Sequence, residues 1–226
     1  MSYARVFKIP MKKKGIKALI PVKAFNNAKL RLSEVLSPQQ RARFSYLMLE
    51  DVLQTLSTSR DIEKVTIISS DIAVKVLAEK YDTDLMLTSV DGGYSEDVTQ
   101  ALSELKMNGD DRVAIVPSDV PQLRHEDLSE LNNSNSKELI LCPATSDGGT
   151  NAFLFTPPLP IPLLFGVDSL RRFVDSAMQH NVPVNVKRIA GLERDIDQPS
   201  DLEWFRRHSN GGQAWAFIQE MEISNC

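Results

Sequence analysis

The stretch Arg112-Val113-Ala114-Ile115-Val116-Pro117-Ser118-Asp119-Val120-Pro121 reads as a buried strand that stops abruptly and is followed at once by a carboxylate. The run from Val113 to Val116 leaves no polar face, which is the pattern of a strand covered on both sides. Pro117 ends it, because proline has no N–H to give to a ladder. Ligands of open parallel sheets bind beyond the carboxyl ends of the strands, and Asp119 falls there. A carboxylate in that place suits Mg²⁺, which keeps several waters and needs only one or two protein carboxylates. A turn or helix-cap aspartate is the ordinary alternative.

Outward from this strand, apolar runs alternate with helical patterns. Residues 17–22, 64–69, 84–87, 138–143, 152–155 and 184–189 read as strands. Residues 37–55 begin with Ser37-Pro38, a cap followed by proline at the first helical position, and Phe44, Leu47, Met48, Val52 and Leu56 recur at helical spacing. Further helices are expected over 72–81 (Val76 and Leu77 inward), 96–107, 124–131, 169–179 and 199–208. Strands alternating with helices predict an α/β, three-layer single domain with a mostly parallel mixed sheet covered on both faces. The proline-rich stretch 157–162 reads as a stiff excursion within it.

The chain has 226 residues, enough for one sizeable core. Its 42% hydrophobic and 25% charged composition is that of an ordinary globular protein. The net charge of −4, with no basic tract beyond Lys12-Lys13-Lys14, argues against nucleic acid as a partner. Cys142 and Cys226 have neither metal spacing nor a disulfide framework, which fits a reducing cytoplasm. No run reaches membrane-spanning length and residues 1–15 lack an apolar signal core, so no membrane association is expected. The expected organisation is a loosely ordered extension over 1–15, the domain over 16–208, and a tail over 209–226. Trp215, Phe217 and Ile218 of that tail would dock on the body or on a partner subunit, so a homodimer is one expectation.

Three more segments put chemistry at the ends of apolar runs. The loop from Lys23 to Ser33 follows the first strand and precedes a helix, where α/β nucleotide binders hold phosphate. Lys23, Lys29 and Arg31 could neutralise a triphosphate, Arg31 forking across two oxygens. The glycines of the P-loop and dinucleotide fingerprints are absent, and a solvated basic turn is the alternative. Asp147-Gly148-Gly149-Thr150-Asn151 permits close backbone approach to a ligand, with Thr150 and Asn151 as donors; a hairpin turn is the alternative. Asp195-Ile196-Asp197-Gln198-Pro199 places two carboxylates on one side of an extended segment, able to complete a metal site with Asp119 or to cap the following helix. Phe165-Gly166-Val167-Asp168-Ser169 leads into a helix whose free N–H groups, with Ser169, could bind an anion or serve as an ordinary cap. No histidine has ligand spacing, and no serine or cysteine sits in a nucleophile motif.

The order and spacing of Lys23…Lys29-Leu30-Arg31-Leu32-Ser33, Gly148-Gly149-Thr150-Asn151-Ala152, Phe165-Gly166…Ser169 and Asp195-Ile196-Asp197…Pro199…Asp201-Leu202 resemble the 2-phospholactate guanylyltransferase (CofC-type) family of deazaflavin coenzyme F-420 biosynthesis. The resemblance spans roughly residues 16–205. It implies a glycosyltransferase-A-like nucleotidyltransferase fold, with transfer of GMP from the co-substrate GTP to a small phosphorylated carboxylic acid and release of pyrophosphate. The acceptor classes it implies are 2-phospho-L-lactate, phosphoenolpyruvate and 3-phospho-D-glycerate. Carried over by position, Lys23, Arg31 and Asp119 would be catalytic, and Lys29 and Ser33 would join the nucleotide site. Gly149, Thr150, Asn151, Gly166 and Ser169 would bind the acceptor, and Asp119 and Asp197 would hold Mg²⁺, with Asp195 as the alternative ligand. Many members carry Gly-Leu-Asn where this chain reads Gly92-Gly93-Tyr94-Ser95-Glu96-Asp97; here Glu96 or Asp97 would accept from guanine, and the departure marks a different acceptor subgroup. The competing readings are a cytidylyltransferase or molybdopterin guanylyltransferase of the same fold, and a GTP-binding module that releases no pyrophosphate.

Overall fold

The structure, a computed structural model, describes residues 15–88, 93–105, 108–109 and 111–223. The expected extension and its lysine triplet lie outside these residues except for Gly15, as do Gly92 and Cys226. The elements run β1 (Ile16–Val22), α1 (Pro38–Thr58), β2 (Ile62–Ser69), α2 (Lys75–Lys80), β3 (Asp84–Leu87), α3 (Tyr94–Glu104), β4 (Arg112–Ile115), α4 (His125–Asn132), β5 (Leu139–Pro143), β6 (Thr150–Phe155), α5 (Ser169–Gln179), β7 (Val184–Val186), α6 (Pro199–His208) and α7 (Gln213–Ile223).

The local chemistry explains the boundaries. The Ser37 side chain accepts from the Gln40 N–H at 3.3 Å, and the Gln40 side chain accepts from the Ser37 N–H at 2.8 Å. This capping box and Pro38 start α1 where the sequence puts it. Before α2, Ile72–Val74 forms a 3-10 turn. That tighter turn shifts the helical register, so Val74 and Leu77 face inward while Val76 is exposed, contrary to the expected pairing.

Among the described residues, one sheet holds seven strands in the order β3-β2-β1-β4-β6-β5-β7. β1 pairs in parallel with β2 and β4, β2 with β3, and β5 with β7. Only β6 runs the other way, antiparallel to both β4 and β5. Side chains alternate across the sheet. Ala18, Ile20, Ile67 and Leu154 pack on one face beneath α1, α2 and α4. Leu19, Ile68, Phe153 and Phe155 pack on the other beneath α3 and α5. The fold is therefore the expected three-layer α/β arrangement.

A third apolar cluster lies outside the sheet. Leu32, Phe44, Met48, Ile196 and Phe205 pack there with Ala214 and Ile218 of α7. The segment expected as a loosely attached tail therefore carries a helix seated on α1 and α6. Asp51 fixes its start by accepting from the Gln213 N–H at 2.7 Å and the Ala214 N–H at 2.9 Å. Trp215, Phe217 and Ile218 dock on the chain's own body, one of the two places the sequence allows. No helix among the described residues is long and apolar enough to cross a membrane.

Candidate active site

The loops that carry the candidate residues meet at one edge of the sheet, around a cleft of about 480 Å³. Lys23 and the 3-10 turns after β1 form one wall. Asp119 follows β4, Asp195 and Asp197 precede α6, and Gly149, Thr150 and Asn151 open β6. Gly166 and Phe165 come from the loop before α5, and Tyr94 from the first turn of α3.

Lys29 sits at the centre. Its backbone is left-handed, with φ 55°, a conformation that costs a side-chain-bearing residue about 1–3 kcal/mol and persists only where its surroundings impose it. The surroundings are carboxylates. Lys29 Nζ donates to Asp119 Oδ2 at 2.6 Å and lies 3.5 Å from Asp197 Oδ1. Arg31 donates to Asp197 Oδ2 at 2.9 Å. Burial works against the charge on Lys29, but Asp119, Asp197 and Asp195 outweigh it, so the ammonium holds its proton more tightly than an ordinary lysine. Asp195 behaves in the opposite sense: burial and the nearby Asp119 push its carboxyl up to about 6, against the pull of Lys29.

The segment bearing Asp195 and Asp197 is pinned from both sides. The Ile196 N–H donates to the Asp119 carbonyl at 3.1 Å. The Asn151 amide donates to the Leu192 carbonyl at 2.9 Å and to Asp195 Oδ1 at 3.2 Å. Asp201, not Asp195 or Asp197, caps α6, accepting from the Gln198 N–H at 3.0 Å. The capping role proposed as the alternative for the two strand-end carboxylates is thus taken by another residue.

The opposite wall is built for close approach. Gly148 has φ +68°, and a Cβ there would stand 2.8 Å from an Asp168 oxygen. At Gly149 a Cβ would stand 2.6 Å from Asp147 Oδ1, which accepts the Gly149 N–H at 2.8 Å. Thr150 Oγ1 is buried at the cleft with no hydrogen-bond partner among the described residues. Ser169 Oγ is likewise buried and unpartnered, but Ser169 is 0% exposed and lies beneath the cleft wall, not on it. Buried hydroxyls without partners are uncommon, and of these two only Thr150 belongs to a residue that lines the cleft.

Not every candidate reaches the cleft. Ser33 ends the second 3-10 turn on the exposed side. Glu96 is exposed and turned back towards the Gly93 N–H at the start of α3, 3.5 Å away. Asp97 lies in the same first turn, off the cleft lining. The nearest side chain from that helix is instead Tyr94, to which the sequence reading assigned no role. Its phenol is held well above its ordinary pKa by burial and by Asp119.

Among the described residues, no group of three or more His, Cys, Asp or Glu is disposed to hold a metal by itself. The physical reason is local: the Lys29 ammonium stands between Asp119 and Asp197. The donor set is nonetheless carboxylate oxygen, the chemistry Mg²⁺ prefers, and Mg²⁺ sites of this kind are normally completed by substrate phosphates and water.

Comparison with known proteins places the chain in a family and a fold. Residues 16–225 match the family described as guanylyl transferase CofC like. The phosphoenolpyruvate guanylyltransferase of Roseiflexus castenholzii is 38% identical over 90% of this chain and 93% of its own. The 2-phospho-L-lactate guanylyltransferase of Methanothermobacter thermautotrophicus is 29% identical over 92% of this chain and 91% of its own. A solved structure assigned as a nucleotide-diphospho-sugar transferase, from Desulfovibrio desulfuricans, superposes with a TM-score of 0.73 at 19% identity, covering 92% of this chain and 95% of its own. That likeness establishes the fold.

Proposed function

Because the chain belongs to the CofC-like guanylyl transferase family, we propose that it transfers GMP from GTP to the phosphate of a small phosphorylated carboxylic acid, with phosphoenolpyruvate as acceptor. The observation that carries this reading is the pairing of Lys29 with Asp119 and Asp197 at the strand ends, opposite the unpartnered Thr150 hydroxyl. One side of the cleft is built for a triphosphate, the other for a small anion. The choice of acceptor rests on the greater likeness to the phosphoenolpyruvate enzyme, 38% against 29% identity.

In this reading an acceptor phosphate oxygen bonds to the α-phosphorus of GTP as the bond to the β-phosphate oxygen breaks, and pyrophosphate leaves. A phosphate is already anionic near neutrality, so no general base is needed, in keeping with the absence of histidine from the cleft lining. The chain contributes position and charge. Lys23 and Arg31 bind the outer phosphates. Lys29 neutralises charge where the two substrates meet. Gly149 and Gly166 let backbone approach the acceptor, and Thr150 donates to it. Ser169 shapes that wall from beneath. Asp119 and Asp197, with Asp195 as the alternative, would hold Mg²⁺, which when bound supplies charge neutralisation on the phosphates. Guanine recognition by Glu96 or Asp97 is not retained, since neither lines the cleft. A cytoplasmic location and a homodimer complete the reading; cell fractionation and light scattering test them.

The decisive assay is pyrophosphate release from GTP and Mg²⁺ with phosphoenolpyruvate, 2-phospho-L-lactate or 3-phospho-D-glycerate, with ATP and CTP as controls. Release with GTP and phosphoenolpyruvate is expected. Release with another acceptor alone corrects the acceptor. Tight GTP binding with no release from any acceptor would favour a binding module.

A further inference from the structure

Tyr94 is a side chain of the cleft to which the reaction as read above gives no part. It opens α3, directly after Gly93, and its ring stands edge-on to Phe165 with centroids 5.0 Å apart. Phe165 is held in turn against Phe153 and Phe173, at 6.1 and 5.2 Å between centroids, so the ring of Tyr94 leans on a packed aromatic floor. Phe165 also immediately precedes Gly166, on the acceptor wall. The position of Tyr94 is therefore fixed by the same element that forms that wall.

Tyr94 lines the cleft and lies within the field of Asp119. Its hydroxyl has no hydrogen-bond partner among the described residues, although Asp119 uses Oδ2 to accept from Lys29. A phenol that lines the cleft and donates to no group among the described residues can donate to an anion bound there. Of the groups at this junction, Lys29 and Arg31 are already engaged with carboxylates. Tyr94 and Thr150 are neutral donors among the residues that line the cleft with Phe165 and Gly166.

Resting on the guanylyl-transfer reading, we propose that Tyr94 is an acceptor-binding residue. Its hydroxyl donates to an anionic oxygen of the phosphorylated acid, and its ring against Phe165 sets how deep that acid sits. The segment Gly93-Tyr94 thus serves the acceptor and not the guanine. A hydrogen bond to a charged group is typically strong enough that losing the donor costs about 10- to 100-fold in affinity.

The test is Tyr94→Phe in the full-length protein, which keeps the ring and its contact with Phe165. The wild type is first assayed for pyrophosphate release from GTP and Mg²⁺ with phosphoenolpyruvate, 2-phospho-L-lactate and 3-phospho-D-glycerate; no release with any of them defeats the guanylyl-transfer reading itself, and release with another acceptor moves the test to that acceptor. With an active wild type, Tyr94→Phe is expected to raise the KM for phosphoenolpyruvate about 10-fold or more, with the GTP KM and the melting temperature unchanged. An acceptor KM within twofold of wild type overturns the proposal, as does an equal rise in the GTP KM. Inhibition by ethyl phosphate, which lacks the carboxylate, names the oxygen. Equal weakening in the variant assigns the contact to phosphate, and unchanged inhibition assigns it to carboxylate. Tyr94→Leu, which removes the ring as well, should raise the acceptor KM further. If it restores the KM of wild type, the ring plays no part and the proposal fails.

Discussion

Removing the Lys29 ammonium would leave Asp119, Asp197 and Asp195 facing one another without the cation that now separates them. Lys29→Met keeps most of the apolar stem and deletes the charge. Turnover is expected to fall about 100- to 1,000-fold, the usual scale for losing a preorganised charge at the reacting centre. A rate within tenfold of wild type would remove Lys29 from that centre. Asp195 supplies a second, independent handle. Its folded value of about 6 lies above its reference value of 3.8, so folding disfavours its charged form. In chelator-treated protein the destabilisation is full above pH 6 and disappears as pH falls towards 4. Asp195→Asn keeps an oxygen for the Asn151 amide and removes the titration. It should therefore stabilise the metal-free protein at pH 8, by about 3 kcal/mol on the scale of 1.36 kcal/mol per pH unit, and should give no gain near pH 4. Melting temperatures across that range check it; a pH-independent difference would contradict the assignment. The residues of the cleft differ in how readable they were. Lys29 and Asp195 stood out as charges at strand ends, while Tyr94 did not, because an aromatic residue in the first turn of a helix usually packs in a core.

Helices with caps were readable from sequence and the one without a periodic stripe was not. Ser37-Pro38 and Pro199 mark their helices directly, and α6 runs over the expected residues. In α7 the apolar residues Ala214, Trp215, Ala216, Phe217 and Ile218 are consecutive, so no polar face announces a helical period. What holds α7 is tertiary: Asp51 of α1 caps it, and Gly212 at φ +96° leaves room for that carboxylate, since a Cβ there would stand 2.7 Å from Asp51 Oδ2. A capping carboxylate contributed by another helix leaves no local trace in the sequence. Asp51→Ala should cost about 1 kcal/mol, the usual worth of an N-cap, and lower the melting temperature by about 2–4 °C in a chain of this size. The kinetic constants should stay put, because among the described residues α7 packs in an apolar cluster with Leu32 and Ile196 and does not line the cleft. A rise in the GTP KM without a change in melting temperature would contradict the purely structural role given to this cap.

At the scale of the whole molecule, the site exists because one strand runs backwards. Six strands share a direction, and their carboxyl ends bring Lys23 and Asp119 to one edge of the sheet. β6 is antiparallel, so its amino end lies at that same edge and delivers Gly149, Thr150 and Asn151 to it. Alternating strands and helices made the sheet legible, but nothing in residues 150–155 reveals their direction, which is settled by pairing with β4 and β5. The same polarity separates function from stability along the chain. Asp111 stands at the opposite edge, just before β4. It is 2% exposed, pairs with Lys17 at 2.6 Å and accepts the Asn108 N–H at 2.8 Å. Its loss strands the partly exposed Lys17 charge. Asp111→Ala is therefore expected to destabilise by about 2–3 kcal/mol, lowering the melting temperature by about 5 °C or more, with KM values unaltered. Asp119→Ala is the mirror case: turnover should fall about 1,000-fold, while the melting temperature moves by less than about 2 °C, because Lys29 keeps Asp197 as a partner and the pressure on Asp195 is relieved. Circular dichroism melts beside pyrophosphate-release rates compare the two variants directly. If Asp119→Ala unfolded the protein, or Asp111→Ala raised the GTP KM at an unchanged melting temperature, the assignment of chemistry to one edge and stability to the other would fail.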